Sequence, residues 1–423
     1  MGRGLSAAGW LALALLGLAG CAEDEAAPPI DPAPDCAALD ACSCAAPPCV
    51  IRDDTVTQTA PVTVAPDPTL PAEVRSQAAH NNLDLVWHGG RLYFAFRTAP
   101  SHFASADARL YVVSTADQQA WRFEAAFHLE RDLREPRFLS VGGQLWLYMA
   151  VLGTDSLAFE PGETRVSAMT GPGAWTEPAL HPDLPGDFIP WRIRTVDGVG
   201  YLMGYTGGAG VYTQTDEPVR VYWLQTADGD RWAPVAPETP VVLEGGVSEA
   251  DFALLPGDQV VLVGRNEAGD AGGFGSRICR GPMRSPDAWR CADDPRKYDS
   301  PLVIHHGERV WLVGRRNLTD TGHYDLGMTD RSLAEQWAFN QTAYWRAPKR
   351  CSLWAVDPEG LAVDFVADLP SAGDTCFASA VPLSGDDWLL YNYSSPFEDP
   401  DRTWRAGQNG PTFIYRTTLG LPR

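Results

Sequence analysis

Short apolar runs, each entered through a glycine turn, recur along most of this chain and are separated by polar stretches rich in Pro and Gly. The turns lie at Gly90, Gly143, Gly198, Gly257, Gly307 and Gly385, and the runs that follow span residues 92–96, 145–150, 201–205, 260–264, 310–314 and 388–393. All six are rich in β-branched and aromatic residues and short enough to be strands. Five of the units then reach a tryptophan, Trp121, Trp175, Trp232, Trp289 and Trp337, at separations of 31, 32, 34, 32 and 30 residues from the turn. A period of about 50 residues marks a propeller or an array.

Within the first unit, residues 83–87 run into His88-Gly89-Gly90. Residues 92–96 and 110–113 follow, and then Thr115-Ala116-Asp117 leads to Trp121. That is one four-stranded antiparallel blade, so six units predict an all-β, six-bladed β-propeller. A flat aromatic at a fixed place in each unit suits the wedge between blades, and core packing is the expected duty of these tryptophans. The sixth unit is one strand short. Residues 55–64, ahead of the first unit, alternate like an outer strand, and Pro61 is tolerable at a sheet edge, so this segment is expected to complete blade six.

Residues 1–54 differ in composition. Arg3 precedes an apolar run over residues 5–18, too short for a typical spanning helix, that ends in Leu18-Ala19-Gly20-Cys21. This resembles the bacterial lipoprotein signal with its lipobox, which implies cleavage before Cys21 and a lipid on its thiol. The competing reading is an ordinary secretory signal. Ala22, where an Asp would resemble an inner-membrane retention cue, favours the outer membrane of a cell that has one. Residues 21–54, rich in Pro, Ala and acids, read as a flexible tether. The expected division is therefore 1–20 signal, 21–54 tether and 55–423 propeller.

Setting Cys21 apart from the nine cysteines leaves an even number, which in an exported chain favours disulfides. Cys279 and Cys291 are expected to bridge the third and fourth strands of blade four. Cys351 and Cys376 are expected to clasp residues 354–368, read as an insertion between blades five and six. Cys36, Cys42, Cys44 and Cys49 allow three pairings, and zinc is a competing reading for them although their spacing matches no usual ligand motif. No metal or other cofactor is expected in the propeller.

A formal net charge of -21 argues against nucleic acid as a partner, because phosphate binding needs a basic face. The expected partners are a glycan or an acidic small molecule, with membrane contact only through the N-terminal lipid, and the chain is expected to be a monomer.

Blade topology says where polar groups gather. When the first two strands of a blade are joined by a tight turn, the start of the first and the end of the second lie on one face of the disc. That rule collects Asn81, Asn82, Asp84 and Arg97 from blade one, and Arg134, Glu135 and Arg137 from blade two. Blade three adds Trp191, Arg192 and Tyr205, and blade four adds Glu249, Asp251, Arg265 and Asn266. Asp299, Arg315, Arg316 and Asn317 come from blade five, and Asp374, Tyr391, Asn392 and Tyr393 from blade six. A rim of acids, arginines and aromatics makes a polar pocket at the channel mouth.

The first blade, from Asn82-Leu83-Asp84 through Phe96-Arg97-Thr98 and His102 to Ser114-Thr115-Ala116-Asp117 and Trp121, resembles the sialidase-like, BNR-repeat propellers. Their Asp box, Ser-x-Asp-x-Gly-x-Thr-Trp, has shortened counterparts in Thr115-Ala116-Asp117 to Trp121 and Thr226-Ala227-Asp228-Gly229 to Trp232. The Asp of such a turn is expected to accept hydrogen bonds from turn amides. For the family's enzymes the resemblance implies three arginines on a substrate carboxylate, a Tyr nucleophile paired with a Glu, and an Asp acid/base. It points to Arg97, Arg265 and Arg315, with His102, Arg134 and Arg192 beside them, as substrate-binding residues. Tyr391 or Tyr393 is then the nucleophile, Glu135 or Glu249 its partner, and Asp84 or Asp299 the acid/base. The chain departs from the family in lacking an Arg-Ile-Pro motif near blade one. Phe188-Ile189-Pro190-Trp191-Arg192 in blade three has a different order.

Three function classes follow. One is an exported glycosidase or lyase, the second a non-catalytic glycan- or protein-binding lipoprotein, and the third an arabinanase-like hydrolase with three carboxylates. Arginines gathered at one spot favour an acidic ligand, bare carboxylates a neutral furanose, and a pocket closed by salt bridges the binding class.

Overall fold

A computed structural model describes residues 56–213 and 217–423. Cys21, the four tether cysteines and the boundaries at residues 20 and 54 lie outside the described residues. The described chain forms six antiparallel sheets, each a blade of a six-bladed β-propeller. The inner strands are Ala79–His88, Asp132–Val141, Ile189–Val196, Val247–Leu255, Leu302–His306 and Ser379–Pro382, and each pairs with the next strand through one of the glycine turns.

The sequence builds this ring because the second strand of each blade is apolar on both faces. Along Arg91–Ala99, Leu92, Phe94 and Phe96 join the core shared with blade six, while Tyr93 and Ala95 join the core shared with blade two. Arg309–Asn317 alternates in the same way, with Trp311 and Val313 toward blade six and Val310 and Leu312 toward blade four. Successive side chains of a strand point to opposite faces, so an uninterrupted apolar run is stable only between two neighbouring sheets.

Thr57–Gln58 and Val62–Ala65 both pair antiparallel with Phe413–Gly420, in registers such as Thr57↔Gly420 and Val62↔Arg416. They complete blade six as expected, with a break around Ala60-Pro61, where Pro has no N–H to give the ladder. The shortened Asp-box turns do structural work. Asp117 Oδ1 accepts from the amides of Gln119 and Ala120 at 2.9 and 2.8 Å, and Asp228 Oδ1 from those of Asp230 and Arg231 at 2.9 and 3.1 Å. Trp232 reaches blade two, its Nε1 donating to the Tyr148 hydroxyl at 3.2 Å.

Two expectations in blade five change. Trp337 lies in the helix Leu333–Arg346, part of an insertion between the second and third strands, and not in a strand-to-strand turn. That helix begins at a capping box in which Ser332 and Glu335 satisfy each other's amides. The third and fourth strands are Lys349–Asp357 and Ala362–Leu369, so residues 354–368 belong to the outer hairpin of blade five rather than to an insertion. Disulfides join Cys279 to Cys291 at paired positions of blade four, and Cys351 of blade five to Cys376 ahead of blade six.

Candidate functional site

Four inner strands break register where they start, on the face opposite the glycine turns. The breaks fall between Asn81 and Leu83, Arg134 and Arg137, Pro190 and Arg192, and Val247 and Ala250. A bulge puts an extra residue into the strand and re-aims its side chain. Asn82 and Glu135, displaced in this way, hold φ of 41° and 49°, and Ser300 and Cys376, which lead into blades five and six, hold 52° and 76°. Left-handed backbone is unfavourable for Glu135, Ser300 and Cys376, and the other non-glycine residues that adopt it, Gln118, Glu130, Asp197, Asp258 and Leu361, lie in turns and connections between strands. The bulges also hold one another. Asn82 Nδ2 donates to Glu135 Oε1 at 3.1 Å, and the Ser300 amide donates to Glu249 Oε2 at 2.8 Å.

Arg265 and Arg315 meet at this mouth around one acid. Asp299 accepts from Arg315 at 2.7 Å and from the Tyr344 hydroxyl at 2.7 Å, and it lies 3.5 Å from both Arg265 and Lys297. Burial opposes its charge, yet Lys297, Arg315 and Arg265 together hold its carboxyl well below the usual carboxylate range. Arg265 also contacts Glu249 at 2.9 Å and Glu267 at 3.0 Å. Glu249, whose side chain is 11% exposed, goes the other way: burial, with Asp299 and Glu135 nearby, outweighs Arg265 and pushes it up to about 7. Burial likewise raises Glu135 against the pull of Arg137 and Arg134. Tyr205 lies in the field of both glutamates and of Arg265.

Below the mouth the channel is plugged. Trp191 of blade three and Phe377, which leads into blade six, meet edge to face at 5.4 Å across the axis. The Arg137 guanidinium stacks 5.3 Å from the first ring and 4.5 Å from the second. Beneath the plug a cavity of about 500 Å³ opens toward the glycine turns, between Trp87, Trp388 and Pro382, with Arg194 and Ser379 deeper in.

The residues named from sequence divide accordingly. Glu135, Glu249, Arg265, Asp299 and Arg315 are brought together. Arg97 is apart from them and wholly buried, with Asp132 at 2.7 Å, and Asp132 also takes Arg134 at 2.5 Å. Arg192 sits lower, 3.2 Å from Asp251. Asp84 accepts from the Phe138 amide at 2.8 Å and the Ser379 hydroxyl at 2.7 Å and lines the cavity beneath the plug, away from the glutamates. Tyr391 is buried in the core against Phe94, two residues farther from the mouth than Tyr393 along the strand Asp387–Ser394. The Tyr393 hydroxyl donates to Asp374 at 2.9 Å, and His102 Nδ1 reaches the same carboxylate at 2.7 Å. Of the tyrosines named from sequence, Tyr205 is the one in the field of both glutamates, and Tyr212, from the helix Ala209–Thr213, lies in that of Glu249 and Glu267.

Sequence reasoning did not single out Glu267, Lys297, Tyr344 or Trp404. Glu267 was within reach, since it stands two residues from Arg265 in the strand Gln259–Asp270 and shares its face, while Lys297 stands two residues from Asp299 in the connection ahead of blade five. Tyr344 and Trp404 come from loop helices and carried no such signal.

The chain matches no protein-family profile, and no curated protein matches it in sequence. Its fold is similar to that of a Dyadobacter fermentans protein of unknown function, at 15% identity over 87% of this chain and 100% of that one, with a TM-score of 0.57. It is also similar to a Trypanosoma rangeli sialidase mutant displaying trans-sialidase activity, at 11% identity over 80% of this chain and 54% of that one, TM-score 0.53. A phage phi92 endosialidase matches at 8% identity over 83% and 68%, TM-score 0.54. The chain thus spans about half the length of the trypanosomal enzyme, and the likeness to all three is one of fold.

Proposed function

We propose that this protein hydrolyses a glycan at the bulged mouth of its channel, with Glu249 as the proton donor. The observation that carries this reading is the pair of partly open glutamates, Glu135 and Glu249, both raised by burial and gathered with Arg265 and Tyr205. A carboxyl group with a pKa of about 7 is largely protonated just below neutrality and able to give its proton to a departing sugar oxygen. A neutral glycan fits better than an acidic one. Arg97, Arg265 and Arg315 each already face a carboxylate, so none is left over as a clamp for a ligand's own acid. Fold alone does not carry this step, since one scaffold serves many chemistries. The expected setting is the cell envelope, with the chain held by a lipid on Cys21.

The test is a screen of the purified protein against a glycan panel and reporter glycosides, beside Glu249→Gln. Turnover that falls at least a hundredfold while glycan binding persists supports the reading. No turnover by the unmodified protein sinks it. In that event the closure of the arginines by ion pairs favours a second reading, a glycan-binding propeller without catalysis, which requires binding in the same panel.

A further inference from the structure

Asp374 is fully buried and accepts from Tyr393 and from Trp404 Nε1, each at 2.9 Å, while its other oxygen lies 2.7 Å from His102 Nδ1. His102 thus has Nδ1 tied to a fixed carboxylate while 21% of its side chain stays exposed. Burial works against the charge of Asp374, but His102, Arg315 and Tyr393 outweigh it and hold the carboxyl below its ordinary range. The loop is anchored to match. Arg97 donates to the carbonyls on either side of the histidine, Ser101 at 3.3 Å and Phe103 at 2.9 Å, and Arg134 donates to that of His102 itself at 2.6 Å. Both arginines are in turn tied to Asp132. Two arginines and a buried acid that hold three consecutive carbonyls make an expensive mount for an ordinary surface loop. They suit an imidazole whose position matters.

We infer that His102 is the general base of the site, that Asp374 orients it, and that Arg97, Arg134 and Asp132 position its loop. This rests on the hydrolytic reading above. Blade one, which carries His102, stands opposite blade four, which carries Glu249, across the six-membered ring. In the step assigned here, neutral Nε2 takes a proton from water as the water oxygen bonds to the anomeric carbon. The glycosidic C–O bond breaks, its electron pair goes to the departing oxygen, and that oxygen takes the proton of Glu249. Nδ1–H on Asp374 fixes the tautomer that makes Nε2 the acceptor.

The groups that face the imidazole are Asp374 and Tyr393 of blade six, Arg134 of blade two, Arg97 of its own blade and, through Asp374, Arg315 of blade five. With a glycan or reporter found in the screen, His102→Gln is expected to lower kcat on the order of 10²–10⁴-fold with KM little changed. Asp374→Asn is expected to lower kcat by less than His102→Gln does, again with KM little changed. Activity of His102→Gln within threefold of the unmodified protein overturns the inference and leaves the hydrolytic reading standing. A second measurement needs no substrate. Diethyl pyrocarbonate labelling of the intact protein, followed residue by residue by mass spectrometry, is expected to modify His102 well ahead of the buried His80 and His181 and several-fold more slowly in Asp374→Asn. A His102 rate unchanged by Asp374→Asn removes the dyad whatever the screen returns.

Discussion

Replacing Asp299 by Asn tests whether the charge network at the mouth is held together by one buried acid. The substitution keeps the shape but removes the charge that faces Arg315 at 2.7 Å and Arg265 and Lys297 at 3.5 Å. Asp299 has no exposed surface, so solvent cannot take over its role, and removing one partner of a buried ion pair costs about 3–5 kcal/mol. Arg315 loses its carboxylate partner, while Arg265 keeps Glu249 and Glu267 and Lys297 keeps Glu267, which puts the expected loss at the lower end of that range. The sign of the pH dependence follows from the depressed folded pKa. Asp299 contributes stability that is fully present above its unfolded value of 3.8 and is lost as pH falls through the lower folded value. Urea unfolding at pH 7 should therefore show the full deficit of the variant, and the two unfolding curves should converge only in strong acid. Glu308→Gln, an exposed change, serves as control and is expected to stay within about 0.5 kcal/mol of the unmodified protein. A deficit below about 1 kcal/mol at pH 7 would refute the claim that Asp299 organises the cluster.

Glu249 should show the opposite slope. Its folded pKa of about 7 lies above the model-peptide value of 4.5, so the folded protein binds the extra proton, and stability falls as pH rises from 4.5 to 7. The fall attributable to this group is at most about 3 kcal/mol at 1.36 kcal/mol per pKa unit, and Glu249→Gln is expected to flatten it in urea titrations at several pH values. The two disulfides should separate stability from site assembly. Paired Cys→Ser changes at Cys279 and Cys291, or at Cys351 and Cys376, should each cost about 3 kcal/mol by loop closure, the second slightly more because it spans 25 residues rather than 12. Only the second pair neighbours Asp374 and Phe377, so it alone should also reduce ligand binding or turnover, measured well below the unfolding midpoint.

Much of the ring was legible because its signals are local. The runs 92–96 and 310–314 alternate between two neighbouring cores, and a glycine turn ahead of each announces the hairpin. The missing fourth strand of blade six and its replacement by residues from the N-terminal side could be read from the same count. Blade five was misread where a helix with its own capping box carried a tryptophan at nearly the repeat distance, which shows that spacing alone does not distinguish Trp337 from a blade tryptophan.

The site was legible only as a rim. Topology placed Glu249, Arg265, Asp299 and Arg315 at one mouth, since strand direction fixes which ends share a face. It could not say that Arg97 would turn to Asp132, that Tyr391 would point into the core, or that Tyr205 would stand by the glutamates. Those outcomes depend on contacts between blades. His102 and Asp374, 272 residues apart in sequence, meet only because the ring closes blade six against blade one. The sequence by itself determined the repeating strand and turn and hence the closed disc, because a period-two apolar pattern can be buried in few ways. Only the tertiary structure decided which charges pair and which remain at the opening, because the energy of a buried ion pair depends on distances of a few ångströms between side chains that no local pattern relates.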